Sequence, residues 1–448
     1  MGKLFGTDGV RGIANKDLTG KLAYELGRIG TYVITKGKKN AKILVGMDTR
    51  ISGDLLESAL IAGICSVGAD AYSVEIVPTP AVAYLTRAYD ADAGIVISAS
   101  HNPVEYNGIK FFNSDGYKLN DEIEDEIESY ILANRDVDVY PTGKNVGKKT
   151  IIKNATKEYL EHLKKSIDCD FSGIKIAVDC GNGANYLAAP ELLKELGAEV
   201  EVIHNAPNGL NINVNCGSTN PEMVQQLVLE TGADIGVAFD GDADRLIAVD
   251  ETGNIVDGDH ILAICGLLLK EQGKLNDNRI VGTVMSNMGL DICLEKNGMS
   301  IVKTQVGDRY VLEEMVKHGY MLGGEQSGHI IFLEHNTTGD GLLTALQLIL
   351  AIKKKKMSLS QLASIMEVYP QILVNAKVDN FKKYKYKDDD AIQEHIKNLE
   401  NQFDGKGRVL IRPSGTEPLV RVMIEGESYD EIKLAAEELA NEIEKRFN

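Results

Sequence analysis

The sequence is poor in cysteine, in positive charge and in long apolar runs. Its six cysteines show no Cys-x-x-Cys spacing, which argues against a disulfide framework or a zinc site and is typical of reduced intracellular thiols. Acidic residues outnumber basic ones by 66 to 48, giving a net charge of −18, which disfavours nucleic acid and anionic membranes as partners. No apolar run approaches the roughly 18 residues of a membrane span. Because the first residues show neither a signal-peptide core nor a myristoylation motif, we expect a cytoplasmic protein.

Three stretches of the chain repeat one pattern of apolar strand, polar turn, helix, glycine stop and second strand. Their opening strands are expected at residues 41–45, 174–179 and 279–284. This βαβ pattern predicts three related α/β domains with mixed sheets. Chance similarity among α/β units is the alternative. The 448 residues are long enough for three or four domains at roughly 100 to 200 residues each.

Each repeat continues into a further apolar strand that ends in a polar loop. These strands are expected at residues 94–97, 234–239 and 320–322. Loops at the same place in three units can line one cleft. The C-terminal remainder, with a glycine hairpin expected at residues 405–407, is typical of a small α+β domain. The predicted domains are residues 1–152, 153–254, 255–368 and 369–448.

Asp240, Asp242 and Asp244 alternate along a short segment after one of these strands. In an extended loop, such carboxylates can converge on a hard divalent cation. A calcium EF-hand shares this spacing, but Arg245 stands where that loop needs glycine and the flanking residues are of strand type. A solvated acidic turn is the other alternative. Three protein oxygens leave coordination sites open, which suits Mg²⁺ completed by a phosphate oxygen.

Ser100 follows an apolar strand and precedes Pro103, so we expect it on a tight, exposed turn where a reactive serine can sit. A turn serine that caps the backbone is the alternative. We do not expect His101 to be its general base, because adjacent residues at a strand end point apart. Lys110, in the next strand-like segment, could bind phosphate, or transfer protons if burial lowers its pKa.

A phosphate-binding loop is predicted near the C-terminus, at residues 412–418. Guanidinium groups, hydroxyl groups and backbone N–H groups would bind the anion. A simple turn between strands is the alternative. The predicted phosphate-binding residues are Arg412, Ser414, Gly415, Thr416 and Arg421.

Two further loops carry polar side chains suited to a phosphosugar. Glu325 and Ser327 could bind sugar hydroxyl groups or an amine. His329 could act as an acid or base, or contact phosphate. Arg11 lies in a glycine-rich loop, where it could reach a phosphate.

Together these loops resemble those of the α-D-phosphohexomutases. The resemblance runs from residues 5–11 to residues 412–418, so it spans nearly the whole chain with four loops in the family's order. Ser98, Gln326 and residues 211–219 are similar to the branch of bacterial phosphoglucosamine mutases. The resemblance implies four domains around a central cleft and a phosphoryl group on the catalytic serine. It also implies one Mg²⁺ per subunit, with the ligands Ser100 (phosphorylated), Asp240, Asp242 and Asp244.

The implied enzyme is an intramolecular phosphotransferase of the isomerase class. It would interconvert glucosamine 6-phosphate and glucosamine 1-phosphate through a phosphoserine enzyme and a bisphosphate intermediate, feeding amino-sugar nucleotide synthesis for the cell wall. A bisphosphate sugar would serve as activator, and the chain could form a homodimer. The catalytic groups would be Ser100, Lys110, His329 and Arg11. Substrate would be bound by Arg245, Glu325, Ser327, Arg412, Ser414, Gly415, Thr416 and Arg421.

Other activities are compatible with the same loops. A glucose or mannose phosphomutase of the same superfamily is the nearest alternative, and Gln326 is the residue that argues against it. A metal-dependent phosphohydrolase would release free phosphate. A sugar-phosphate binding protein without catalysis would form no phosphoenzyme.

Overall fold

The computed structural model describes residues 4–6, 8–414 and 417–448. The chain forms two compact units. The first comprises Met1–Met285 and Met299–Ile365, and the second comprises Ser286–Gly298 and Met366–Asn448. In the part of the chain that is described, no helix is both long and apolar enough to cross a lipid bilayer.

The first sheet is mixed and has six strands in the order β1-β5-β4-β2-β3-β6. The two strands at one side of this sheet, β5 and β1, run antiparallel to their neighbours, and the other pairs are parallel. Its strands are β1 (Val10–Ile13), β2 (Lys42–Met47), β3 (Asp70–Ile76), β4 (Ala93–Ile97), β5 (Tyr106–Asn113) and β6 (Lys149–Ile151). Its helices are α1 (Gly20–Glu25), α2 (Thr31–Thr35), α3 (Gly53–Ser66), α4 (Thr79–Ala88) and α5 (Asp121–Leu132).

The second and third sheets have five and four strands. The second contains β7 (Lys175–Asp179), β8 (Glu199–Ile203), β9 (Ile235–Phe239), β10 (Leu246–Asp250) and β11 (Ile255–Val256), with α6 (Ala155–Lys164), α7 (Ala188–Glu195) and α8 (Glu222–Thr231) nearby in the chain. The third contains β12 (Arg279–Thr283), β13 (Ser300–Thr304), β14 (Leu322–Gly324) and β15 (Ile330–Phe332). The helices of this part of the chain are α9 (Gly258–Glu271), α10 (Met288–Lys296), α11 (Asp308–His318), α12 (Gly341–Lys355) and α13 (Leu359–Ala363). Helix α10 belongs to the second unit and the other four to the first.

One strand order recurs in all three sheets. It reads β3-β2-β4-β5 in the first, β8-β7-β9-β10 in the second and β13-β12-β14-β15 in the third. In each sheet the first three strands are parallel and the last returns antiparallel. This shared topology confirms the predicted relation among the three α/β domains. It also gives the loops after β4, β9 and β14 the same position in their sheets.

Burial of β4 and β9 fixes where these loops begin. All five residues of each strand are buried, and Ile97, the last residue of β4, is fully inaccessible. Burying such a side chain contributes about 1.5 to 3 kcal/mol, so the strand end is a firm support for the polar loop that follows.

The C-terminal sheet is antiparallel, with three strands in the order β16-β18-β17. Its elements are β16 (Gln371–Lys377), α14 (Asp390–Phe403), β17 (Gly407–Pro413), β18 (Leu419–Gly426) and α15 (Tyr429–Phe447). The mixture of helices and an antiparallel sheet confirms the predicted α+β class. The predicted hairpin at residues 405–407 is wrong, because these residues join α14 to β17. Helix α14 was not predicted from the sequence. This helix begins after an N-cap residue, Asp389, whose side chain accepts a hydrogen bond from the backbone N–H of Ile392.

Candidate active site

Three carboxylates follow the carboxyl end of β9. Asp240, Asp242 and Asp244 are buried, and their oxygens approach within 4.8 Å of one another. Burial, together with the neighbouring charges of Asp244 and Asp242, raises the pKa of the Asp240 carboxyl well above its ordinary value. Among the described residues, neither Oδ1 of Asp242 nor Oδ1 of Asp244 has a hydrogen-bond partner. Buried oxygens of this kind need a cation, so the cluster fits a divalent metal ion.

Lys110 already supplies part of that positive charge. Its buried Nζ lies 2.8 Å from Oδ2 of Asp242 and 2.9 Å from Oδ2 of Asp8. Burial lowers the pKa of this ammonium group, but the carboxylates of Asp242 and Asp8 outweigh burial and hold the pKa above its ordinary value. The predicted proton transfer by Lys110 depends on a pKa lowered by burial. The pKa is raised instead. These contacts favour the ammonium form of Lys110.

Ser100 lies in the loop between β4 and β5 and has the left-handed conformation, with a φ of 52°. Its Oγ donates a hydrogen bond of 2.6 Å to Oδ2 of Asp240. The predicted exposed turn is wrong in one respect, because Ser100 is only 2% exposed. Residues of the second domain cover it, since Nδ2 of Asn213 donates to its carbonyl oxygen at 2.9 Å. At Gly241 an added Cβ would lie 2.5 Å from that same oxygen, so only glycine fits there.

His101 lies closer to the serine than predicted. Its Nδ1 is 3.2 Å from Oγ of Ser100. Side chains alternate in an extended strand, but the left-handed backbone at Ser100 breaks that alternation, so the two neighbours turn toward each other. The hydroxyl proton of Ser100 is directed to Asp240, which makes Asp240 and not His101 its acceptor.

His329 is held between two carboxylates and a backbone N–H group. Its Nδ1 lies 3.6 Å from Oδ2 of Asp244 and its Nε2 lies 3.5 Å from Oδ2 of Asp308. Gly339 donates its backbone N–H to Nε2 at 3.0 Å. Burial lowers the pKa of the ring, and the carboxylates raise it above its ordinary value, Asp244 more than Asp308. The bond from Gly339 opposes this, because only an unprotonated Nε2 accepts it. Each ring nitrogen thus faces a carboxylate, and His329 is only 2% exposed.

The remaining candidates of the first unit lie around this centre. The backbone N–H of Arg245 donates to Oδ1 of Asp240 at 3.2 Å, and its Nε lies 3.8 Å from Oδ1 of Asp244. Arg245 also forms a β-bridge with His329, which connects the loops of the second and third sheets. Of the other three, Glu325 accepts a 3.1 Å hydrogen bond from the N–H of Gly307, Ser327 is exposed, and Arg11 forms an ion pair with Asp8.

The predicted phosphate-binding residues belong to the second unit. Arg412 on β17 and Arg421 on β18 are direct partners in the sheet. Burial lowers the pKa of the Arg412 guanidinium, and the charge of Arg421 lowers it further. Like charges opposite each other destabilise a sheet, so this pair favours a bound anion. Ser414 is buried and its Oγ accepts the N–H of Glu417 at 3.2 Å. Gly415 and Thr416 lie outside the described residues.

Sequence models of four phosphoglucomutase/phosphomannomutase domains match the chain in order. The α/β/α domains I, II and III match residues 2–138, 157–253 and 257–369, and the C-terminal domain matches residues 373–442. The chain belongs to the phosphoglucomutase/phosphomannomutase family. The predicted superfamily, fold class and enzyme class, a phosphoryl-transferring mutase among the isomerases, are thereby confirmed. The domain boundaries and the roles of single residues stay predictions.

Relatives named phosphoglucosamine mutase are similar to this family member over its full length. Those of Alkaliphilus oremlandii and Ruminiclostridium cellulolyticum are 64% and 63% identical, and both alignments cover 100% of each chain. A crystal structure of a phosphoglucomutase/phosphomannomutase family protein from Burkholderia thailandensis superposes with a TM-score of 0.81 at 26% identity. That comparison covers 99% of this chain and 97% of the other.

Sequence reasoning missed several charged or polar partners in this phosphoglucomutase/phosphomannomutase family member. Lys118 forms ion pairs with both Asp8 and Asp308, and so joins the first domain to the third. Thr79 donates its hydroxyl group to Oδ2 of Asp242 at 2.7 Å. Asp8 alone carried a signal, because it lies in the same glycine-rich loop as Arg11. The other three stand in ordinary helical or loop contexts, and nothing in the sequence indicates their partners.

Proposed function

We propose that this chain interconverts glucosamine 6-phosphate and glucosamine 1-phosphate, with Ser100 as the phosphoryl carrier. The observation that carries the proposal is the 2.6 Å contact between Oγ of Ser100 and Oδ2 of Asp240, at the edge of three buried carboxylates. The identities of 64% and 63%, over the full chain, to relatives named phosphoglucosamine mutase support the choice of sugar. Such a reaction is consistent with an enzyme located in the cytoplasm.

Mg²⁺ fits the carboxylate cluster of Asp240, Asp242 and Asp244. The support is the pair of buried Oδ1 atoms without hydrogen-bond partners among the described residues, since hard oxygens are the ligands that this ion prefers. When bound, the ion would neutralise negative charge on phosphoryl oxygens. A phosphate on Ser100 would supply a further ligand.

The reaction needs two phosphoryl transfers. In the first, the bond between phosphorus and Oγ of Ser100 breaks and a bond forms from phosphorus to the free sugar hydroxyl oxygen. The sugar hydroxyl loses its proton, and Oγ of Ser100 gains one to become a hydroxyl group again. The product is a sugar bisphosphate, which turns over in the site. In the second, the bond between its other phosphorus and the sugar oxygen breaks and a bond forms to Oγ of Ser100. Oγ loses its proton, and the sugar oxygen gains one. A free bisphosphate sugar would phosphorylate an unmodified enzyme by the same second step.

The cations of the chain stabilise the negative charge of these transfers. Lys110 and Arg245 flank the carboxylates, and Arg11 lies in the neighbouring loop. Preorganised positive charge of this kind is the main contribution that proteins make to phosphoryl transfer. Because its contacts favour the ammonium form, the role of Lys110 here is electrostatic. We expect His329, which lies beside Asp244, to carry the proton between the sugar hydroxyl and Oγ of Ser100.

The other groups bind the substrate. Arg412, Ser414, Gly415, Thr416 and Arg421 hold the phosphate that does not react, in both orientations of the intermediate. Glu325 and Ser327 bind the sugar, with the carboxylate of Glu325 suited to an ammonium group at C2. We expect the C-terminal domain to move about a hinge near residues 368–372, since the intermediate has to turn.

Three phosphosugars test the substrate assignment. Purified enzyme is assayed with the 6-phosphates of glucosamine, glucose and mannose, each with Mg²⁺ and a bisphosphate activator. The proposal expects the highest kcat/KM with glucosamine 6-phosphate. A preference for glucose or mannose phosphate would assign the chain to the other branch of the family. Release of inorganic phosphate without isomerisation would make it a phosphohydrolase. Equilibrium sedimentation of the same preparation tests the expected homodimer.

A further inference from the structure

Arg50 sits at the centre of the loop that carries Ser100, and every N–H group of its guanidinium donates a hydrogen bond. Its side chain is inaccessible to solvent. Nε donates to Oδ2 of Asp48 at 2.9 Å. The other four donors all reach backbone carbonyl oxygens of the loop: those of Pro103 at 2.6 Å, Tyr106 at 3.1 Å, Ser100 at 2.8 Å and Asn102 at 2.9 Å.

Asp48 fixes this arginine and reaches the other side of the serine. Its Oδ1 accepts the backbone N–H of Arg50 at 2.9 Å. Its Oδ2 accepts the hydroxyl group of Ser98 at 2.6 Å, and Oγ of Ser98 in turn accepts the backbone N–H of Ser100 at 2.9 Å. The peptide groups on both sides of Ser100 are thus held by one connected set of buried side chains.

The conformation of this loop needs such support. A left-handed conformation costs a residue with a Cβ roughly 1 to 2 kcal/mol, and Ser100 adopts it with a φ of 52°. Four carbonyl oxygens also converge on one point, and their partial charges would repel one another without a cation between them. A planar guanidinium with five donors satisfies all of them, whereas the three donors of a lysine ammonium cannot.

We propose that Arg50, seated by Asp48, is a positioning residue that holds the Ser100 loop in the conformation from which the phosphoryl group is transferred. The inference rests on the proposed role of Ser100. Arg50 touches neither Oγ of Ser100 nor the carboxylate cluster through any hydrogen bond described. Its effect is to fix the backbone that aims Oγ at Asp240, and a misplacement of about 1 Å can slow a reaction by about 100-fold.

A second buried arginine provides the matched control. Arg28, in the same domain, has a side chain that is 4% exposed and also donates from all three nitrogens. Its acceptors are Asp136, Ser66, Val137 and Val139, far in sequence from the serine loop. Arg28→Lys therefore removes a comparable set of hydrogen bonds without touching residues 98–106.

The test compares Arg50→Lys with Arg28→Lys in the full-length protein. We expect Arg50→Lys to lower kcat by about 100-fold with KM changed by less than about threefold, and Arg28→Lys to leave kcat near the wild-type value. Hydrogen exchange of residues 98–106 should accelerate in Arg50→Lys alone. Equal kcat values and equal exchange in the two variants would overturn the inference.

If Arg50→Lys does not fold, Ser98→Ala takes its place, because it cuts the link between Asp48 and the N–H of Ser100. We then expect a lower kcat and faster exchange at Ser100, and wild-type behaviour would overturn the inference. If the wild type is active and Arg50→Lys has the same kcat as Arg28→Lys, the positioning role of Arg50 is rejected and the proposed function stands. A wild type inactive on every phosphosugar would reject the proposed function, and the exchange comparison would still test how the loop is held.

Discussion

Lys110 and Asp242 form an ion pair in the protein interior, with side chains only 2% and 1% exposed. Removing one partner of such a pair leaves a buried charge without compensation, at a cost of about 3 to 5 kcal/mol. Lys110→Met should therefore lower the free energy of unfolding by that amount, measured by urea denaturation. As a control, Lys354→Met removes the exposed pair with Asp168 and should cost no more than about 1 kcal/mol. Equal losses in the two variants would contradict the structure.

Ser100→Ala should abolish turnover while leaving the thermal unfolding midpoint nearly unchanged, because only one hydroxyl group is lost. Intact-mass analysis should find a phosphoryl group on the wild type after incubation with a sugar bisphosphate, and none on the variant. Ser129→Ala, an exposed hydroxyl on α5, serves as the control and should behave like the wild type. Normal turnover in Ser100→Ala would refute the role of this serine.

Asp244→Asn should weaken the dependence on Mg²⁺, since it removes one of three converging carboxylates while keeping the shape of the side chain. We expect the Mg²⁺ concentration for half-maximal activity to rise at least about tenfold, as is typical for damage to a metal site. Titration calorimetry on the same protein measures the affinity without turnover. Asp168→Asn, on the surface, should leave both values unchanged. An unaltered metal affinity in Asp244→Asn would argue against the cluster as the metal site.

Arg412→Gln should weaken binding of the phosphosugar without lowering the stability of the fold. Because Arg412 faces Arg421 across two strands, the change removes a like-charge repulsion, so the unfolding midpoint should stay the same or rise slightly. KM for the phosphosugar should rise at least about tenfold, as expected for the loss of a bidentate phosphate contact. Arg446→Gln removes an exposed pair with Asp389 and should not affect KM. A lower midpoint with an unchanged KM would indicate a structural role for Arg412.

The carboxyl group of Glu124 should make the free energy of unfolding depend on pH. Burial raises the pKa of this carboxyl from 4.5 to about 7, with Arg309 opposing the rise and Asp121 adding to it. A carboxyl with a higher pKa in the folded state binds an extra proton there, so its stabilisation is present below about 4.5 and is lost as the pH rises through about 7.

Glu124→Gln should therefore gain stability relative to the wild type as the pH rises, and match it at low pH. Thermal unfolding across this range measures the difference. Glu126→Gln on the same helix, exposed to solvent, should follow the wild type at every pH. Parallel curves for Glu124→Gln and the wild type would contradict the expected titration.

The sequence predicted most of the strands, because each apolar run is short, bounded by polar turns and repeated in order. It also indicated the serine, the three aspartates and the phosphate-binding loop, since their residue types and spacing suit that chemistry without knowledge of partners. It missed α14, although the side chain of Asp389 caps the first turn of that helix. The predicted separation of the His101 and Ser100 side chains was wrong as well. Side chains alternate only along an extended backbone, and the backbone at Ser100 is left-handed.

The pKa of Lys110 shows why the rest could not be predicted. Burial alone lowers the pKa of an ammonium group, and nothing in its neighbours along the chain indicates that Asp8 and Asp242 lie within 3 Å. The direction of the shift depends on groups more than 100 positions away in sequence. The same holds for Arg50, whose residue type is ordinary in a polar turn until the carbonyl oxygens of residues 100–106 are seen around it.

By itself, the sequence determined the three α/β repeats, the C-terminal α+β domain and the types of side chain that follow the central strands, because hydrophobic periodicity and residue chemistry are local. Only the tertiary structure decided which of those side chains meet. Parallel strands in three sheets end on loops that bring Ser100 to Asp240 and Asp244 to His329, and the charges and donors gathered there set each protonation state and each backbone conformation. Electrostatic and hydrogen-bond energies depend on distances in space, and the sequence does not contain those distances.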